Sequence, residues 1–176
     1  MGSLFWGFFF ILLDFNLTFN TCVLGLLPDF VGFLLILSGL KELQKYSAEF
    51  VKIQSVVILM AASKFVTYLL DLTGVTAQNQ TVMAVVGLIF LLFYLYIEYA
   101  IICGIRDMER ILEMDCNAKP LLSLWKIIAC CSILSNLVFI FAPAVSILFL
   151  VVLVIVDLVF LFTFYQAKKL YDQWHP

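Results

Sequence analysis

The residues that could do chemistry in this chain are few, and most are charged groups stranded in apolar runs. Glu98 lies in YLYIEYA and Asp157 in VIVDLVF. At about 1.5 Å of helix per residue, Glu98 lies about 12 Å before Arg106 and Asp157 about 16 Å before Lys168. A short acidic side chain buried that deep in a membrane cannot reach the surface. Lys64 is the one base inside an apolar stretch. Its stem can snorkel outward, or its ammonium can pair with Asp14, Asp29 or Asp157. Lys64, Tyr68 and Asp71 share one helical face and would form a polar stripe. Asn136, in CSILSNLVF, adds an amide suited to interhelical hydrogen bonding. Charges within hydrocarbon are costly and usually face a bundle interior or a water-filled cavity. Two chemistries stay open for Asp157, Glu98, Lys64 and Asn136. They could form an ion-paired centre that keeps helices in register, or a path for a proton, cation or solute.

Other chemistries lack their residues. The five cysteines, Cys22, Cys103, Cys116, Cys130 and Cys131, lack metal-ligand spacing, and the only histidine is His175. The adjacent Cys130 and Cys131 project from different sides of a helix, which disfavours a bond between them. Neither HExxH nor GxSxG occurs, so no catalytic residue, metal site or cofactor is expected, and the chain does not read as an enzyme. A net charge of −2 argues against a nucleic-acid partner.

The element type follows from composition. Of 176 residues, 65% are hydrophobic and 12% charged, and mean hydropathy is +1.14. Soluble domains carry about 45–50% apolar and about 25% charged residues, so the lipid bilayer is the partner this composition demands. The N-terminal run has no basic n-region, and Trp6 and phenylalanines replace a leucine-rich core, so it reads as a retained first helix.

The expected fold is all-α: a single integral membrane domain over residues 1–176, with six helices arranged as three hairpins. The helices span about 3–15, 28–47, 49–72, 82–104, 120–141 and 145–167. The first pair is short. Pro28 and Asp29 mark the start of the second helix, Pro at its first position and Asp beside the positive end of its dipole. Asp14 to Leu27 suits a turn or a fold-back into the outer leaflet, which protein must cover. Residues 105–117, IRDMERILEMDCN, form an amphipathic segment that lies in the interface or continues helix 4, with Ile105, Met108, Ile111 and Leu112 opposite the charges. Ala142-Pro143-Ala144 reads as a tight turn.

Nine of the ten basic residues fall between helices 2 and 3, between helices 4 and 5 or just inside helix 5, or after helix 6. The positive-inside rule then puts both termini in the cytoplasm. On that orientation Asp14, Asn16, Asp29, Tyr68 and Asp71 form an outer vestibule. Ser38-Gly39-Leu40-Lys41-Glu42-Leu43 matches Cys103-Gly104-Ile105-Arg106-Asp107-Met108 at two helix exits, either an internal repeat or the common preference of such ends for a small residue before basic ones.

At LFWGFFFILLDFN followed by LLPDFVGFLLILSGLKEL, the chain resembles a group of small uncharacterised bacterial polytopic membrane proteins that share an LPDFxG signature. The matching positions are Asp14, Phe15, Asn16 and Leu27 to Gly32, within the first fifty residues. The resemblance implies a bacterial inner membrane and one element joining the Asp14/Asn16 turn to Asp29. It carries no activity. The leading expectation is a small transporter, or a membrane subunit of a transport complex, partnered by itself or by another membrane subunit. The alternatives are the substrate-binding component of an energy-coupling transporter, against which helix 1 offers no Ala-x-x-x-Ala docking face, and a structural or regulatory membrane partner.

Overall fold

The structure, a computed structural model, describes residues 1–12, 16–19, 22–25, 28–73 and 80–174. Their helices fall into two compact units, Met1–Ile97 and Glu98–Pro176. The first unit holds α1 (Gly2–Leu12), a hairpin of β1 (Asn16–Phe19) and β2 (Cys22–Gly25), α2 (Asp29–Leu43), α3 (Ala48–Lys52) and α4 (Gln54–Leu72). It also takes the start of α5 (Gln80–Leu112); the rest of α5 joins α6 (Ala118–Phe141) and α7 (Pro143–Trp174) in the second unit. Four helices, Ala48–Leu72, Val85–Leu112, Ala118–Val138 and Val145–Gln173, are long and apolar enough to cross a membrane. Because α3 and α4 run on through Ile53, whose N–H still reaches the Glu49 carbonyl at 3.2 Å, six helical rods result, as the apolar pattern predicts.

In the first unit the core is a set of stripes at heptad-like spacing. Phe33, Ile36, Leu40 and Leu43 of α2 are sealed, as are Phe50, Ile53, Val57 and Met60 along α3 and α4. Leu4 and Phe8 close it from α1. Spacings of three and four put each set on one helix face, so burial follows from the pattern. The approach of α1 to α2 is set by glycine. A Cβ on Gly7 would lie 2.8 Å from the Gly32 carbonyl oxygen, and one on Gly32 2.9 Å from the Gly7 carbonyl oxygen. Two helix backbones can meet this closely only where neither carries a side chain.

The segment expected to fold back contains a short antiparallel ladder, pairing Asn16 with Gly25 and Phe19 with Cys22, and β2 lies against α4. Among the described residues this hairpin is the one departure from an all-helical chain. Backbone groups at membrane depth need internal partners, and a ladder supplies them. At eleven residues α1 is about 16 Å long, well short of a core about 30 Å thick. The first pair of helices is therefore short, α2 having fifteen residues.

The second unit is simpler. Phe160, Phe164, Ala167 and Tyr171 of α7 form one buried stripe, and Leu121, Ile128 and Ser132 form that of α6. Ala142 makes the turn between them, its carbonyl accepting from Val145 and Ser146, with Pro143 opening α7. The remaining faces are apolar and uncovered, Leu148 being 69% exposed. Such contiguous apolar surface belongs in lipid. The amphipathic segment continues α5 to Leu112 rather than lying apart, and Ile105 and Met108 are buried within it. Ile111, expected on that same face, is 61% exposed, because the buried stripe of a 3.6-residue helix passes from Met108 to Leu112 and leaves it to one side.

Candidate ligand cavity and its ion pair

Asp29 is the first residue of α2, after Pro28 with φ −64° and ψ 126°. Pro28 thus stands one position outside the helix, as its extended N-cap, rather than at the first helical position expected for it, and the acid in the first turn suits the positive end of the dipole. The carboxylate points at Lys64 of α4, and Lys64 Nζ donates to Asp29 Oδ2 at 2.7 Å. Among the three carboxylates open to Lys64, its partner is Asp29; Asp14 lies outside the described residues. The pair is mostly withdrawn from solvent, the side chains being 27% (Lys64) and 17% (Asp29) exposed. Lys64 also lies 5.4 Å from the centre of the Phe90 ring, a cation–π distance. The other carboxylate oxygen, Asp29 Oδ1, is buried and has no hydrogen-bond partner among the described residues.

The pair borders a cavity of about 290 Å³ within the first unit. Phe33 of α2 and Met60 of α4 line it below the pair, and Ile11 of α1 closes one side. Gly87, Phe90, Leu91 and Tyr94 line it from α5, at spacings that put all four on one helix face. Phe33 and Tyr94 meet edge-to-face at 6.5 Å. Gly87, itself exposed, lines the cavity on an open side, where a Cβ built on it meets nothing within 4 Å. The cavity thus has an apolar, aromatic body and one charged, neutral-overall end.

The outer-vestibule group is drawn together only in part. Tyr68 continues the Lys64 face of α4, and its ring lies 5.9 Å from Phe30, the residue after Asp29; Phe30 also meets Phe65 at 5.2 Å. Asp71 lies one turn further along that face; its backbone carbonyl accepts from the Thr73 N–H, and its side chain makes no hydrogen bond or ion pair among the described residues. Asn16 pairs through its backbone with Gly25 in the hairpin.

In the second unit the polar residues are scattered. Glu98 is 2% exposed on α5. Asp157 lies one turn before Phe160 on the inward stripe of α7, half-buried, and has no hydrogen-bond or ion-pair partner among the described residues. Asn136 sits on an exposed face of α6, and its amide donates to the Ser132 carbonyl of its own helix at 2.9 Å. That bond satisfies it locally, so it needs no second helix.

One functional-looking carboxylate escapes sequence reasoning. Glu109 Oε1 accepts the backbone N–H groups of Cys116 and Ala118, both at 2.8 Å. It does the work of an N-cap for α6 from the preceding helix, because Asn117, the residue at that cap, contributes no side-chain bond. Cys116 is consequently enclosed. Burial, then the charges of Glu109 and Asp115, push its thiol up from 9.0 to about 11, away from the thiolate. Only the acidic spacing ERILEMD hints at this turn.

Long apolar helices, a charged pair at the head of an apolar cavity and large uncovered apolar faces define an integral membrane protein of the helical class. Comparison of the chain with protein-family models, with curated proteins and with solved structures returns no match.

Proposed function

We propose that the chain is a small transporter, or the membrane subunit of a transport complex, of a bacterial cytoplasmic membrane, and that the cavity beside Asp29 and Lys64 is its binding site. The cavity itself is the observation that carries this reading. Packed bundles exclude voids larger than a few methyl groups, and an open space left beside a charged pair suits a solute better than it suits packing. Both termini face the cytoplasm on this reading, which the one-sided distribution of lysine and arginine supports. The cavity then opens toward the outer side, where α4 ends.

Accessibility tests this. Gly87→Cys places a thiol in the cavity, and an impermeant maleimide is applied to intact cells and to inverted vesicles, with the parent protein as background. Labelling from outside is expected. Labelling only in inverted vesicles overturns the orientation. Labelling from neither side overturns a water-reachable site and leaves the bundle a structural partner. Purification in mild detergent adds the assembly: a lone homo-oligomer favours the transporter, and a co-purifying ATPase favours the subunit.

A further inference from the structure

We propose that the cavity takes a small zwitterion, a primary ammonium and an acidic group carried on an apolar body; this rests on reading the cavity as a binding site. Its charged end is an aspartate beside a lysine, and each keeps bonding capacity. Asp29 engages Lys64 through Oδ2, while Oδ1 is buried with no hydrogen-bond partner among the described residues. An ammonium carries three N–H donors. Lys64 directs one at Asp29, and its other contact among the described residues is the face of Phe90. An acceptor and a donor therefore stand side by side, each suited to the opposite end of one ligand.

Charge balance selects the class. A cation alone would satisfy Oδ1 but bring an uncompensated charge into a poorly solvated site, and an anion at Lys64 would do the same with the other sign. A ligand carrying both charges pairs both groups and leaves the site neutral. The apolar wall of Phe33, Met60 and Tyr94 suits a hydrocarbon body. Its aromatic faces add attraction for the ligand ammonium. A volume of about 290 Å³ is at the small end of ligand pockets, which run from about 300 to about 1,000 Å³. That fits a free apolar amino acid or the headgroup of an aminophospholipid, which share an ammonium and an acid.

The test uses the full chain in phosphatidylcholine nanodiscs, whose quaternary ammonium has no N–H to donate. Melting is followed with L-leucine, L-phenylalanine, phenethylamine or 3-phenylpropionate. We expect at least one amino acid to raise the melting temperature by about 5 °C near hundredfold saturation, and neither the lone amine nor the lone acid to do so. If phosphatidylethanolamine nanodiscs give the rise without added amino acid, the same chemistry is supplied by lipid. Gly87→Leu, which fills the space, should abolish the rise while the protein still melts cooperatively. The proposal is overturned if the lone amine or acid matches the amino acids, if neither amino acids nor phosphatidylethanolamine shift the transition, or if Gly87→Leu leaves the shift intact. Outside labelling of Gly87→Cys without any zwitterion response removes the ligand class alone. Loss of that labelling removes the site.

Discussion

Each unit holds a partly buried carboxylate and satisfies it differently. In the first, Asp29 is answered by a cation on another helix, and the pair stands beside an open cavity. In the second, Glu109 is answered by backbone N–H groups of the following turn, with no ion-pair partner among the described residues. A backbone answer completes a local structure and leaves nothing over. A side-chain answer between helices ties distant elements together and leaves an oxygen, Asp29 Oδ1, available. For this pair of carboxylates the contrast locates binding capacity in the first unit and construction in the second, with Asp157 of the second unit left without a side-chain partner among the described residues.

The sharpest way to break it is at the crossing that brings Asp29 into place. Gly32→Val would push a side chain to 2.5 Å from Ile11 and 2.9 Å from the Gly7 carbonyl oxygen. A backbone oxygen cannot swing aside, so a loss of about 3 kcal/mol or more is expected, at the upper end of overpacking costs. A strong fall in the detergent melting temperature checks it. Gly87→Ala, on the open cavity wall, should cost no stability. Equal losses at the two glycines would show that α1 and α2 do not meet this closely.

Next in size is the ion pair. Asp29→Asn leaves Lys64 without its counter-ion in a poorly solvated place, and about 3 kcal/mol of destabilisation is expected. The paired replacement Asp29→Asn with Lys64→Met removes both charges and should return stability to near that of the parent. It should still fail to bind a zwitterion. Stability lost equally in the single and double variants would mean that Asp29 acts through the helix start and not through Lys64. Binding retained in the double variant would mean that the cavity recognises shape alone.

Much of this was legible before the structure, and the reasons for the remainder are physical. Membrane character, six helices and the common face of Lys64, Tyr68 and Asp71 follow from composition and period, which are local. Pro28 and Asp29 announce a helix start wherever they occur. Lys64 had three carboxylates open to it, because the choice depends on which helices touch, and it is α2 that packs against α4. The β-hairpin was hidden because NLTF and CVLG carry no strand alternation strong enough to stand out from an apolar chain. Gly87 was hidden for the opposite reason: glycine is common in membrane helices, and only packing tells whether its missing side chain is filled by a neighbour or left as space.

A smaller effect sharpens the second unit. Glu109→Ala leaves two backbone donors without their acceptor and should cost about 2 kcal/mol, with Glu109→Gln recovering part of it. Cys116 reports the same change. With its thiol near 11 in the fold and 9.0 as reference, the enclosed thiol contributes stability that is full below pH 9 and is lost as pH rises toward 11. At pH 8 native Cys116 should alkylate far more slowly than in the denatured chain. Glu109→Gln removes one of the charges that hold the thiol up, so its reaction should quicken. An unchanged rate would mean that burial alone protects the sulfur.

The smallest effect has the opposite sign. Glu113, just past the end of α5, has φ 52°, and Asn117 has φ 60°. Asparagine tolerates the left-handed region through its short polar side chain, whereas glutamate there meets the following carbonyl. Helices commonly end on a left-handed glycine at this position. Glu113→Gly should therefore stabilise the protein by about 0.5–1 kcal/mol, even though glycine widens the freedom of the unfolded chain. The same replacement at Asn117 should gain less. Because both changes lie in the turn that Glu109 closes, neither should alter labelling of Gly87→Cys. If they did, the two units would share one equilibrium, and the division between a binding half and a building half would not hold.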